Sequence, residues 1–320
     1  MKQIYKYHYP INRGIRGEHA WVNDRPLFAS ISGGKDSTAL GIHLKELGLK
    51  FTPVFIDTGW EHPDTYTYIR EVLIPLFGDF IILRNEKFFD STSPFAGGME
   101  QLVAKKKVFP NGRMKFCTHY LKIIPIQNFY SEVRAELGAK PINAIGIRAE
   151  ESRKRSTMGE FEEQDEADVW RPLIKWTYED VIRRHQSAEV LPNPQYVKGY
   201  SRVGCNPCIF ARKHEIRHMA LSEPSRIDHI EDLEGEISSL RSDGQQATFF
   251  KSRKKDIAKM GIREIVKWSK TKKKETLDDL DEIEEAGCMR WGLCESPTVY
   301  NIEEQNKEEV NLLNWHLQKK

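Results

Sequence analysis

Eight consecutive residues, Ser30-Ile31-Ser32-Gly33-Gly34-Lys35-Asp36-Ser37, combine the groups needed to hold an anion. Paired glycines let the backbone approach a ligand closely. Ser32 and Ser37 carry hydroxyl donors, and Lys35 supplies a positive charge. A helix starting here would aim its unpaired N–H groups at the same point and make a phosphate cradle. The spacing is neither the Walker loop G-x-x-x-x-G-K-S/T nor the dinucleotide turn G-x-G-x-x-G. An ordinary glycine-rich turn is the bland alternative. The full octet behind an apolar run, Leu27 to Ile31, favours the phosphate site.

Five cysteines offer a second kind of chemistry: Cys117, Cys205, Cys208, Cys288 and Cys294. In a reducing compartment such spacings suggest a metal, a cluster or reactive thiols before disulfides. Cys205 and Cys208 surround Pro207 after Gly204, and Cys288 and Cys294 flank a five-residue loop. The four read as one thiolate set, a shell that zinc and iron–sulfur clusters both accept. Cys117 either replaces one ligand or acts alone as a sulfur-handling thiolate. Buried, idle thiols are the plain alternative, since free cysteine often packs as a small hydrophobe.

The elements that must position these groups follow from the pattern. Leu40, Ile42, Leu44 and Leu47 lie among polar residues after the octet, which gives strand, tight turn and helix. A second strand is expected at Phe51 to Ile56 and ends in Asp57, an acid placed to reach a nucleotide over the sheet edge. Pro63 suits the first turn of a helix running to about Leu76. Phe80 to Leu83 reads as a third strand. Helix continues from Cys117 to about Leu137, and Pro141 to Ile147 reads as a fourth strand that delivers Arg148, Glu150, Glu151 and Arg155. Residues 156–168 are acidic and read as a mobile loop. Thr177 is an expected N-cap. The alternation predicts an α/β fold with a doubly wound parallel sheet. Residues 1–26 read as an aromatic, basic arm, 27–215 as the nucleotide-binding domain, and 216–320 as a mainly helical region carrying the second cysteine pair.

The chain has 320 residues, 39% hydrophobic and 30% charged, with a net charge of +2. The near-neutral balance gives no global signal for nucleic acid. Lys105-Lys106-Lys107, Arg253-Lys254-Lys255 and Lys272-Lys273-Lys274 are local basic clusters, explained equally by solvated helix faces or by a nucleic-acid acceptor. No apolar run reaches a membrane span, and the first residues lack a signal-peptide core. A cytoplasmic location and no membrane partner are expected.

The octet resembles the S-G-G-x-D-S PP-loop of the ATP-pyrophosphatase superfamily. Asp57-Thr58-Gly59, Cys117-Thr118 with Leu121-Lys122, Gly146-Ile147-Arg148 with Arg155, Pro172-Leu173 with Trp176, and Gly204-Cys205-Asn206-Pro207-Cys208 follow in order. Together they are similar to the phosphoadenosine-phosphosulfate (PAPS) reductase family within that superfamily. The resemblance implies a PP-loop sheet binding an adenine nucleotide, ATP or PAPS. Ser30, Ser32, Gly33, Gly34, Lys35, Asp36 and Ser37 then surround phosphates, with Mg²⁺ bridging oxygens. Arg148 and Arg155 hold an anionic part of the ligand, and Asp36 supports the loop or the metal. Lys35, Asp36, Arg148 and Cys117 are the expected catalytic residues. Family precedent favours a 4Fe–4S cluster over Zn²⁺ at Cys205, Cys208, Cys288 and Cys294.

Members of that family include reductases and ATP-using sulfurtransferases. The complete loop matches those that split ATP. This chain has one cysteine at position 117 where cluster-bearing reductases carry a Cys-Cys pair, and its final residues carry no cysteine. Both departures favour a sulfurtransferase-type enzyme, supplied by a sulfur-donor protein, over a reductase releasing sulfite. A nucleotide-sensing subunit of a larger assembly is the non-catalytic alternative.

Overall fold

The computed structural model describes residues 9–250, 260–271 and 291. A six-stranded sheet, ordered β3-β2-β1-β4-β6-β5, forms its centre. The strands are β1 (Leu27–Ser30), β2 (Thr52–Ile56), β3 (Ile81–Leu83), β4 (Ile142–Ile145), β5 (Phe161–Glu162) and β6 (Asp168–Trp170). All pairings are parallel except β5 with β6. Helices cover both faces, so inner strands carry apolar residues on both sides. Leu27 and Ala29 pack with Leu40, Leu44, Leu73 and Val181 on one face. Phe28 packs with Val54, Phe129 and Val133 on the other. The expected doubly wound α/β sheet is the observed one.

From β1 the chain runs outward first through β2 to β3, then returns to β4 on β1's other side. The carboxyl ends of β1 and β4 therefore flank the reversal point, where such sheets bind ligands.

The helices are α1 (Lys35–Glu46), α2 (Pro63–Tyr68), α3 (Ile74–Phe77), α4 (Met99–Lys106), α5 (Phe116–Thr118), α6 (Ile124–Leu137), α7 (Tyr178–Ser187), α8 (Pro194–Val197), α9 (Lys213–Ser222), α10 (Pro224–Ser239) and α11 (Ile262–Ser269). Two wide π segments, Ile69–Leu73 and His119–Ile123, join α2 to α3 and α5 to α6. Each precedes a proline, Pro75 or Pro125, at the start of the resumed helix. Proline lacks an N–H and its ring crowds the carbonyl four residues back. A π turn absorbs that mismatch without breaking the helix.

Beyond the sheet edge, Trp60, Phe109, Leu121 and Phe249 share a third core with Ile216, Ile230, Ile237 and Ile265. This core joins α9, α10 and α11 to the loops after β2 and α4. On the amino-terminal side, Val22 is fully buried, and Trp21 meets the Trp170 ring edge-on at 4.9 Å.

The acidic stretch 156–168 is more ordered than its composition suggests. It contains β5, whose Phe161 stacks parallel to Trp170 at 6.2 Å. Glu162 pairs with the buried Arg171. One stacked ring and one ion pair hold an edge strand in a sequence that reads as loop.

Candidate active site

After β1, Gly33 takes φ +76°, in the region that favours glycine. A Cβ there would lie 3.0 Å from Thr65 Cγ2. Gly34 then caps α1 with no side-chain bond to the helix. Ser37 closes the loop from inside: its Oγ accepts from Ser32 N–H at 3.1 Å and donates to the Gly34 carbonyl at 2.9 Å. Ser32 Oγ lies 3.2 Å from Ser37 Oγ. Ser30 Oγ donates to Asn143 Oδ1 at 2.9 Å, tying β1 to β4. Thus Ser30 and Ser37 hold the turn in shape, and α1 presents its first main-chain donors at the edge.

Lys35 and Asp36 are both largely enclosed. Asp36 Oδ1 takes a hydrogen bond from Arg148 Nε, and its Oδ2 lies 3.6 Å from Lys35 Nζ. Both carboxylate oxygens thus face cations, which suits an anchor of the loop rather than a free metal ligand. Arg148 is buried just past β4, pairs also with Glu150, and its own N–H donates to Glu151 at 3.0 Å. Arg155 pairs with that same Glu151. Asp57, at the end of β2, accepts from Gly59 N–H at 2.9 Å and from Tyr66 O–H at 2.8 Å.

Sequence reasoning missed the residues that grip this loop from afar. Lys35 Nζ lies 5.1 Å from the ring centres of both Tyr178 and Tyr196, an arrangement that stabilises a desolvated cation. Tyr196 O–H accepts the Lys35 backbone N–H at 3.1 Å. His185 Nε2 lies 2.9 Å from the Lys35 carbonyl, and burial holds its pKa below the ordinary value. Asn193 donates to the Gly33 carbonyl at 3.2 Å. Trp291 packs on His185 at 5.1 Å and on Tyr196 at 5.8 Å, so it buttresses the same contacts.

The end of β4 comes so close to the loop that Gly146 has no room for a side chain. A Cβ would sit 2.6 Å from the Asp36 carbonyl oxygen and 3.1 Å from Ser37 Cα, both backbone atoms. Gly146→Ala is therefore expected to displace the loop. A shift of about 1 Å costs about 10²-fold in turnover. Steady-state kinetics with the folded variant check this, and a rate equal to the parent's would show that the loop tolerates the shift.

A thiol pocket lies beside the loop. Lys122, in the π segment after Cys117, is half-buried and has its pKa raised first by Cys205, with Glu61, Cys208 and Cys117 adding to the effect. Burial pushes the Cys205 thiol up to about 11, opposed by Lys122. Burial likewise raises Cys117. The Cys-x-x-Cys stretch is zipped to the loop after β2. Asn206 N–H donates to the Trp60 carbonyl at 2.8 Å, and Trp60 Nε1 to the Pro207 carbonyl at 3.0 Å. Glu61 accepts from Thr58 N–H at 3.0 Å, Thr58 O–H at 2.6 Å and Tyr66 O–H at 3.2 Å. A cavity of ≈180 Å³ borders Lys122, Cys205 and Cys208 and extends to Thr65 and Gln195 on the loop side.

Cys117, Cys205 and Cys208 are free thiols brought near one cation. Among the described residues, no three His, Cys, Asp or Glu side chains converge closely enough to hold a metal ion. Cys288 and Cys294 lie outside the described residues. The described thiols alone therefore make no metal shell.

A doubly wound sheet with a PP-loop at its reversal point and an acid–arginine pair beside it defines a nucleotide-binding fold. Residues 26–211 match the phosphoadenosine phosphosulfate reductase domain, and the chain belongs to that family. A 37.8 kDa protein of Escherichia phage 186 is 30% identical over 270 residues, covering 70% of this chain and 78% of its own. Adenosine 5′-phosphosulfate reductase of Bacillus pumilus is 31% identical over 157 residues, 48% of this chain and 61% of that enzyme. The chain thus spans less than two thirds of that reductase. The phosphoadenylyl-sulfate reductase of Candida auris is 18% identical, with TM-score 0.45, over 59% of this chain and 85% of that one. Among the described residues, no helix is long and apolar enough to cross a membrane.

Proposed function

We propose that this chain binds ATP across the carboxyl ends of β1 and β4 and cleaves it between the α- and β-phosphates in a sulfurtransferase-type reaction. An acceptor oxygen bonds to the α-phosphorus as the bridging P–O bond breaks. AMP then sits on the acceptor, and pyrophosphate leaves with the bonding pair. A sulfur nucleophile from a donor protein next displaces AMP from the activated acceptor. The observation that carries this reading is the complete loop with its buried Lys35 caged by two tyrosines. Preorganised donors of that kind stabilise charge that grows on leaving phosphates.

In this reading Lys35 and the main-chain donors of 33–37 hold the phosphates. Arg148 fixes Asp36, and Arg155 with Asp57 borders the nucleotide. Mg²⁺ would neutralise phosphate charge, bound mainly through the nucleotide itself. Cys205 and Cys208, completed by Cys288 and Cys294 or by Cys117, would hold an iron–sulfur cluster or zinc. Such a centre handles sulfur or electrons when bound, and Lys122 would stabilise its anionic thiolates.

A second reading, reduction of a sulfated adenine nucleotide with release of sulfite, is favoured by the three thiols facing Lys122 and by the reductase relatives. A nucleotide-sensing subunit would bind without turnover. Anaerobically purified chain incubated separately with labelled ATP, PAPS and adenylyl sulfate separates them. Pyrophosphate from ATP supports the first reading. Sulfite from a sulfated nucleotide replaces it with the second, and binding without any product replaces both.

A further inference from the structure

On the other side of the helix that carries Lys122, a second cavity of ≈240 Å³ opens at the sheet edge beyond β3. Lys87, Lys105 and Lys106 border it, together with Phe88, Tyr120 and the buried Asn85. All three lysines are exposed, and two of them lie over aromatic rings. Lys105 Nζ lies 5.7 Å from the Phe88 ring centre, and Lys106 Nζ lies 4.5 Å from that of Tyr120. Lys106 also donates to Tyr120 Oη at 3.2 Å. Asn85 anchors the wall by donating to the Tyr120 carbonyl at 2.8 Å. No carboxylate borders the cavity. Among the described residues none of the three lysines has an ion-pair partner, and the nearby Glu86 pairs with Arg84.

We infer that this cavity is a phosphate-binding site separate from the PP-loop, which takes a polyanion through Lys87, Lys105 and Lys106. Three neighbouring ammonium groups with no ion-pair partner among the described residues make a local positive field that attracts an anion, most strongly at low salt. The volume lies below that of drug-sized sites and suits one or two phosphate groups. The ring faces are already covered by the lysines, so recognition runs through phosphate and not through base stacking. The phosphates can come from a single-stranded nucleic acid or from a free polyphosphate.

The test uses the full chain, its Lys35→Ala variant, and the triple variant Lys87→Gln, Lys105→Gln, Lys106→Gln. The probes are a fluorescein-labelled twelve-nucleotide oligo-dT, read by anisotropy, and inorganic tripolyphosphate, read by calorimetry. The parent and Lys35→Ala should bind, and the triple variant should lose at least about tenfold in affinity. Two neutralised phosphates on a single strand give a log–log salt slope of about −1.4, which the triple variant should lose. The triple variant should keep the parent's nucleotide turnover, because none of its changes touches the loop. Oligonucleotide binding that tripolyphosphate fails to displace identifies a strand, and displacement at equal concentration identifies a free polyanion. No binding of either probe at 20 mM salt (about a 20 Å screening length) overturns the inference. So does unchanged affinity and slope in the triple variant.

Discussion

Lys35→Ala should lower nucleotide turnover by about 10²–10³-fold while leaving the fold intact, the loss typical of removing one preorganised donor. Lys35 is only 9% exposed, so its charge acts where water screens little. The cage of Tyr178 and Tyr196, with Asp36 Oδ2 3.6 Å away, keeps the ammonium near the loop. Asp36 retains Arg148 as its partner in the variant, which protects the loop from collapse. Circular dichroism and a melting curve verify folding, and single-turnover kinetics read the rate. Lys35→Arg should recover only part of the rate, because the site encloses a compact ammonium and the bulkier guanidinium, though it stacks well on aromatic faces, places its charge elsewhere. A folded Lys35→Ala enzyme with the parent's rate would remove the loop from the mechanism.

Lys122→Met should lower stability by about 1 kcal/mol. It removes a half-buried cation whose field acts on Cys205 first and on Glu61 after it. Glu61 is 9% exposed; four donors surround its carboxylate, and it acts electrostatically on Lys122. Glu61→Gln in the Lys122→Met background should restore part of the loss. Urea unfolding of the parent, the two single variants and the double variant measures the coupling as a double-mutant cycle. Additive losses would show that the two charges do not communicate. The effect should fall on the thiol pocket first, since Cys205 would then lose the cation that opposes its burial.

Local chemistry was legible and distant chemistry was not. The PP-loop could be read because its turn, its donors and its helix start lie within eight residues, and Arg148 because a strand end announced it. Tyr178, His185, Asn193 and Tyr196 come to the loop from about 150 residues away, and in sequence they look like ordinary helix-face or loop residues. Nothing in a one-dimensional pattern marks a tyrosine hydroxyl as the acceptor of a particular backbone N–H. Lys122 appeared in the sequence only as part of a string. Its importance comes from the π turn that rotates it toward the cysteines, and a π turn leaves no periodic trace beyond the proline after it. The edge strand at Phe161 was hidden for a related reason: its acidic neighbours satisfy Arg171, which is itself remote in the pattern.

The stretch from Asn193 to Cys208 has a consequence for how the two halves of the site communicate. Asn193 holds the Gly33 carbonyl and Tyr196 holds the Lys35 N–H. A few residues on, Cys205 bridges to Glu61 and Asn206 bonds Trp60. A phosphate that reached the Lys35 N–H would compete with the Tyr196 hydroxyl for it. Under the proposed nucleotide reading, filling the cradle this way would loosen Tyr196 and with it one end of the segment that carries the thiols. If both sites fill, thermodynamic linkage requires that the factor by which nucleotide changes ligand affinity at the cysteines equal the factor by which an occupied cysteine site changes nucleotide affinity. One shared strip of backbone would then make the two halves of the site report on each other.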